Sequence, residues 1–394
     1  MTTDTNKIGN EPNKLRLAVL QRVCPGYRVT LFTRLTSSNE INAKLFIGDS
    51  IPNSKVNNAV QLNGIRMAKL ETRFVRFGKR VLPWHVDLIK QLKSFDPDVI
   101  LCEGESNFLG YLQAIWYKTF IKKVGLIHWC FISLPGEPQQ KPGIGLIVKR
   151  YTRKFFDAFL LYSSFSKTSL LKLGIKENKA FVATNVGDVG HFIGLADSLT
   201  ETASDARLKL NLPDKFTVLY TGTLDRNKRP EVLLELARLC DPKSFNFVLL
   251  GGGEMFEELI STVTQKGLSN VYLPGKVSST LALYYKASDV LLVPGRGGIV
   301  ISEGMAFSLP VITHQADGTE YDLIRNDETG FILNSGDVDS FRQKIEWLRR
   351  NKEQATNMGR AGRQLVQFSF TTNNMVSKII ETAAFAKKIL NRQA

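Results

Sequence analysis

Two stretches of this chain carry residue types suited to handling a negatively charged leaving group. In the first, GTLDRNKRPEVLLELA (222–237), Arg226, Lys228 and Arg229 fall between a strand-like run and a helix-like one. That is the carboxyl end of a strand, where doubly wound sheets bind their ligands. Cations placed there neutralise charge that develops on a departing diphosphate. In the second, the apolar run Val290 to Val293 ends at Pro294, and a turn holding Gly295, Gly297 and Gly298 follows. Helical spacing begins near Ile299, Glu303 lies in its first turns, and the next strand starts at Pro310. Strand, glycine turn and helix in this order aim backbone N–H groups at an anion, with the helix dipole behind them. A carboxylate one turn in is placed to accept hydrogen bonds from vicinal hydroxyls, such as those of a ribose. Together the two stretches read as a site for a nucleoside diphosphate compound.

Other residues are open to more than one reading. CPGYR (Cys24 to Arg28) follows the first strand-like run, and Gly26 permits close backbone approach there. Arg28 is a candidate for an acceptor or a phosphate, and a plain β–α turn explains the same residues. Glu103 and Glu105 follow the DVILC strand at its carboxyl end and are candidates for acceptor hydroxyls. His128, in LIHWC, is either a site residue or a core histidine beside Trp129. Asp96-Pro97-Asp98 mimics a metal-binding DxD, but it precedes its strand and its proline marks a helix stop. Gly251–Gly253 lacks dinucleotide spacing, and the four histidines form no metal cluster, so no metal is expected.

The stretch from Asp289 to Leu333 resembles the donor signature of retaining glycosyltransferases with the GT-B fold, family 4. That pattern is an acid, seven residues, then a second acid; Glu303 takes the second place and Gly295 stands in the first. The resemblance implies that Glu303 binds ribose, and that Gly297, Gly298, Ile299 and Val300 meet the diphosphate or sugar through their backbones. It implies that Lys228 contacts the donor phosphates, with Arg226 substituting for an arginine the family carries where this chain has Thr223. Gly26 and Val277 join the donor site, and His128 matches a histidine near the reacting sugar. His128, Arg226 and Lys228 are thus the expected catalytic group. The implied fold is α/β, with two doubly wound Rossmann-like domains facing a central cleft. The implied reaction is metal-independent transfer of a hexose-like sugar, with retention, from a UDP- or GDP-sugar. The acceptor would be a glycan or a lipid-linked glycan, as in cell-surface polysaccharide or glycolipid assembly. Gly295 keeps two alternatives open, a catalytically silent sugar-nucleotide-binding partner subunit and a GT-B nucleotide-sugar epimerase.

The elements that must position these residues alternate between strand and helix, which argues for parallel sheets. LRLAVL, KLFIG, DPDVILCEG, VGLIHWCFI and DAFLLYSS read as strands, and GYLQAIWYKTFIKK and SKTSLLKLG as helices. PWHVDLIKQLKSF (83–95) has helical spacing, and residues 188–213 break the rhythm as a linker would. A second alternation starts at FTVLYTGTL. The expected domains are therefore 1–190, joined by a C-terminal helix 372–394, and 191–371. The 394 residues suit two domains, and 43% hydrophobic with 23% charged residues suits a globular chain. No signal peptide or transmembrane run is evident, and the four cysteines are widely spaced, so a cytoplasmic location is expected.

Charge is unevenly placed. Residues 1–190 hold 28 Lys and Arg against 14 Asp and Glu, a net of +14 within a total of +15. Such asymmetry suggests an anionic surface met by one domain, a membrane rather than nucleic acid, since no nucleic-acid module is recognised. In IRMAKLETRFVRFGKRVLPW (65–84), basic and apolar residues recur at steps of three and four. An interfacial helix explains this, and Gly78 with the β-branched and aromatic residues leaves a strand-plus-turn reading open.

Overall fold

The computed structural model describes residues 14–51, 54, 56–78, 80–104, 107–136 and 144–392. Nine strands come first: Leu15–Gln21 (β1), Ile41–Ile47 (β2), Met67–Lys69 (β3), Thr72–Phe77 (β4), Arg80–His85 (β5), Val99–Glu103 (β6), Gly125–Cys130 (β7), Ala158–Leu161 (β8) and Ala180–Val182 (β9). All but β4 and β5 form one sheet in the order β3-β2-β1-β6-β7-β8-β9. In β1, Leu17 through Leu20 are wholly buried, the continuous apolar run of a strand covered on both faces. Apart from β4 and β5, the order of strands reverses between β1 and β6.

Six more strands build the second sheet: Phe216–Thr221 (β10), Phe245–Leu250 (β11), Val271–Gly275 (β12), Val290–Val293 (β13), Val311–Thr313 (β14) and Gly330–Ile332 (β15). Its order is β12-β11-β10-β13-β14-β15, and its pairs run parallel. This is the doubly wound arrangement, with its switch between β10 and β13. The period of two along a strand divides the core between the faces. Val218, Phe247 and Leu292 pack on one side, and Leu219, Val248 and Leu291 on the other.

The chain divides into two compact units: Met1–Cys130, Pro142–Leu160 and Val376–Ala394 form one, and Phe131–Lys141 with Leu161–Met375 form the other. Residues 161–190, expected with the first domain, group with the second unit. There Asp322 accepts hydrogen bonds from the Ser164 amide (3.1 Å) and the Thr184 hydroxyl (2.8 Å). The C-terminal helix Thr372–Arg392 returns its last part to the first unit, where Lys387 meets Asp98 at 3.1 Å and Ala386 packs on Gly125.

Two elements differ from the sequence reading, and a third is decided between its two alternatives. Residues 65–84 take the strand-and-turn form rather than the helix: β4 and β5 pair antiparallel about Gly78, which takes φ +56°. Their β-branched and aromatic residues suit a pleated ribbon better than a helix surface. The helix expected over 83–95 is only Leu88–Phe95, because β5 claims the chain as far as His85. The supposed linker holds two helices, Val189–Ser198 and Ala203–Lys209. Thr202 and Asp205 close a capping box on the latter, a signature present in the sequence. Asp96 ends its helix with φ +52° and bonds to Lys122, and Asp98 bonds to the Arg16 amide, so both carboxylates serve that junction. Among the described residues, no helix is long and apolar enough to cross a membrane.

Candidate functional site

In the second unit the turns after β10 and β13 meet at the switch point, and glycines let them do so. A Cβ on Gly295 would lie 2.5 Å from the Asn227 carbonyl oxygen and 2.9 Å from Lys228 Cα. The Arg296 amide donates to that same carbonyl at 3.0 Å. The space an acid would occupy at residue 295 is therefore filled by the backbone of the 225–229 loop. Lys228 rises from that loop. Its Nζ comes within 3.1 Å of the Cβ position of Gly222 and 3.5 Å of that of Gly297. Both glycines hold φ near +140° (+142° and +144°), which L side chains rarely adopt. An ammonium is thus cradled by bare backbone at the carboxyl ends of β10 and β13. Beside it opens a cavity of about 320 Å³ lined by Thr221, Gly222, Thr223, Gly251, Lys276 and Val277, among others.

Glu303 sits in the helix Ile299–Ala306, which starts at Gly298. The Gly298 amide donates to Asp317 Oδ2 at 3.1 Å, so it is already engaged within the protein. The amides of Ile299 and Val300 open the helix and have no intrahelical acceptor. Glu303 Oε2 accepts from the Tyr285 hydroxyl at 2.9 Å, and the Tyr285 ring stacks on Phe307 at 4.8 Å. Burial pushes the Glu303 carboxyl up to about 7, against the pull of the Tyr285 bond and the Lys228 charge. Burial and that carboxylate push the Tyr285 phenol well above its usual value. The arrangement can hold an anionic phosphate group by Lys228 and polar hydroxyls by Glu303.

Arg226 is not part of it. Its side chain is 79% exposed and meets Glu258 at 3.8 Å, because the loop turns it outward onto the helix Phe256–Gln265. Arg229 instead turns back with φ +55°, its Nη1 2.8 Å from the Cβ position of Gly336, whose other near neighbour is His314. Tyr285 and Asp317 are the residues that sequence reasoning did not assign. Tyr285 lies in LALYYKASD and carries no local signal, since only the fold brings it to Glu303.

In the first unit, the candidates gather where the strand order reverses at β1 and β6. Gly26 opens the short 3-10 turn Gly26–Arg28 and has nothing within 4 Å of its Cβ position. Arg28 is buried, its guanidinium 4.2 Å over the Trp129 ring, so it packs rather than reaching out to an acceptor. Glu103 accepts from the Arg22 amide at 2.8 Å and so fastens β6 to the turn after β1. Glu105 lies outside the described residues. His128 is a packing residue in this structure. Its ring stacks on Phe156 at 4.6 Å and meets Tyr111 edge-on at 5.4 Å, and its buried Nε2 faces the backbone of Gly104. Burial and the nearby Arg153 and Lys149 push its imidazole down to about 3, so it stays neutral. Among the described residues, no group of three or more His, Cys, Asp or Glu is placed to hold a metal ion.

Two Rossmann-like domains of these strand orders define the GT-B fold. Residues 203–365 match the family profile of glycosyl transferases group 1. An uncharacterized 41.2 kDa protein in the cps region of Klebsiella pneumoniae is 24% identical over 323 residues, covering 78% of this chain and 83% of that protein. The capsular polysaccharide biosynthesis glycosyltransferase CapM of Staphylococcus aureus is 30% identical over 169 residues, 41% of this chain and 44% of CapM. Among solved structures, Anabaena HepE in complex with UDP superposes with a TM-score of 0.74 at 17% identity, over 94% of this chain and all of HepE (100%).

Proposed function

We propose that this protein is a glycosyltransferase that moves a hexose-like sugar from a nucleoside diphosphate sugar to a glycan or lipid-linked acceptor, with retention and without a metal. The observation that carries the reading is the Lys228 ammonium, cradled by Gly222 and Gly297 at a doubly wound switch point near the half-buried Glu303. In the reaction the bond from the anomeric carbon to the diphosphate breaks. An acceptor oxygen bonds that carbon on the same face, and its proton passes to an oxygen of the departing diphosphate. Lys228, with the amides of Ile299 and Val300, stabilises the departing diphosphate, and Glu303 holds the ribose hydroxyls. Neither Arg226 nor His128 has a part in this scheme. The capsular polysaccharide role of CapM supports an acceptor in surface polysaccharide assembly, and the UDP complex of HepE supports uridine as the donor base.

Calorimetric titration with UDP, GDP and ADP, before and after adding Mg²⁺, tests the donor site. Tight binding of one nucleotide without metal is the expected result. Failure of all of them to bind, with the fold intact by circular dichroism, overturns the reading. Binding without transfer to any acceptor extract would favour a silent sugar-nucleotide-binding subunit, the alternative that Gly295 motivates.

A further inference from the structure

The first unit carries a second cavity, of about 480 Å³, lined by Trp84, Ile89, Leu112, Gln113 and Trp116. Trp84 belongs to β5, Ile89 to the helix Leu88–Phe95, and Leu112 and Trp116 to the helix Phe108–Phe120. Two tryptophans at its rim stand 42% and 46% exposed. The apolar surface continues past them. Leu112, Trp116 and Phe120 follow one another at steps of four along one helix face, and Phe120 is 70% exposed and 5.9 Å from Trp116. Val75 and Val86 are exposed as well. A patch of this kind on a folded chain marks an interaction site.

Its charge identifies the partner. Arg73 stands opposite Trp84 in the hairpin register, and its side chain is 75% exposed. Lys90 and Lys93 are exposed on the helix that supplies Ile89, whereas Arg76, paired with Val81, lies on the other face of the hairpin. These cations belong to the half of the chain that carries +14. Exposed indoles with Arg73 beside Trp84 and Lys93 one helical turn from Ile89 fit the headgroup layer of an anionic bilayer, where tryptophan is enriched and each nearby cation contributes about 1 kcal/mol. We propose that this face seats the protein on an anionic phospholipid surface, with Trp84 and Trp116 at headgroup depth and the cavity receiving part of an acyl chain. The two-stranded ribbon β4–β5 and the helix Phe108–Phe120 together build this face. The seat is independent of the nucleotide site, which lies in the other unit.

Co-sedimentation with vesicles of phosphatidylcholine, alone and mixed with phosphatidylglycerol, tests the seat. Binding to the mixed vesicles alone is expected. It should weaken about tenfold in the Trp84→Ala/Trp116→Ala pair and again in Arg73→Glu/Lys93→Glu. Nucleotide affinity should be unchanged in both, and an unchanged circular dichroism spectrum and thermal midpoint check that the first unit is folded. Should either variant fail to fold, wild-type tryptophan fluorescence reads the same contact, because acyl-brominated lipid must quench it on vesicle binding. Equal affinity for neutral and anionic vesicles, no binding to either, or binding without quenching would overturn the proposal. A protein or glycan partner on this face would give the second of these results. Loss of nucleotide binding with vesicle binding intact would count against the donor site alone.

Discussion

Glu303 and Tyr285 form a hydrogen-bonded acid pair whose protons answer to each other. Burial raises the carboxyl to about 7, and the Tyr285 hydroxyl bond works against that rise. An ionised carboxylate accepts hydrogen bonds from ribose hydroxyls better than a protonated one. Nucleotide affinity should therefore climb as pH rises through about 7. Tyr285→Phe removes the bond that favours ionisation, so the midpoint of that climb should move upward, as calorimetry across neutral pH would show. A midpoint left in place would deny Tyr285 this role. For folding the sign is the opposite. The native carboxyl holds its proton more tightly than the unfolded one, so stability from this group is lost as pH rises from 4.5 through about 7. Of these residues, Lys228 and Glu303 were legible, because each sits in a local strand–turn–helix pattern. Tyr285 was not, because its contact is made across the fold. Arg226 and His128 show the same limit from the other side, since side-chain direction and burial are not written in spacing.

At the scale of elements, the loop after β10 and the turn after β13 behave as one device. Gly295 is its contact point, and the missing side chain is what allows the 225–229 backbone to close down. Gly295→Glu would restore the acid of the resembled motif and yet should weaken nucleotide binding. The Cβ alone would overlap Asn227 O at 2.5 Å, and overpacking of that kind costs about 1–3 kcal/mol. A drop in UDP affinity of roughly tenfold or more is expected by calorimetry, whereas a gain in affinity would mean that the loop yields and the acid is tolerated. Strands and helices with strong period were legible at this scale. The β4–β5 ribbon was ambiguous because its steps of three and four fit a helix, while Gly78 and its β-branched and aromatic residues fit strands and a turn. The helices at 189–198 and 203–209 were missed because glycines and polar residues hid them, though the Thr202 capping box was there to read.

At the scale of the whole molecule, the last helix returns to the unit that the chain left at Leu160. Ile379, Thr382, Ala383 and Ala386 are fully buried, and Ile379 alone accounts for roughly 2 kcal/mol of burial. Removing residues 376–394 should therefore lower the thermal midpoint and open the first unit to protease before the second. Early cleavage confined to the second unit would contradict that. The sequence by itself determined the α/β class, the paired alternations and the two stretches around Lys228 and Glu303, because period and turn chemistry are local properties of a chain. Only the tertiary structure decided that Lys228 rather than Arg226 enters the switch point, that a loop fills the place of the absent acid, and that Trp84 and Trp116 share one cavity. Those outcomes depend on which backbones come close enough to exclude a side chain, and that distance is fixed by packing between segments far apart in the sequence.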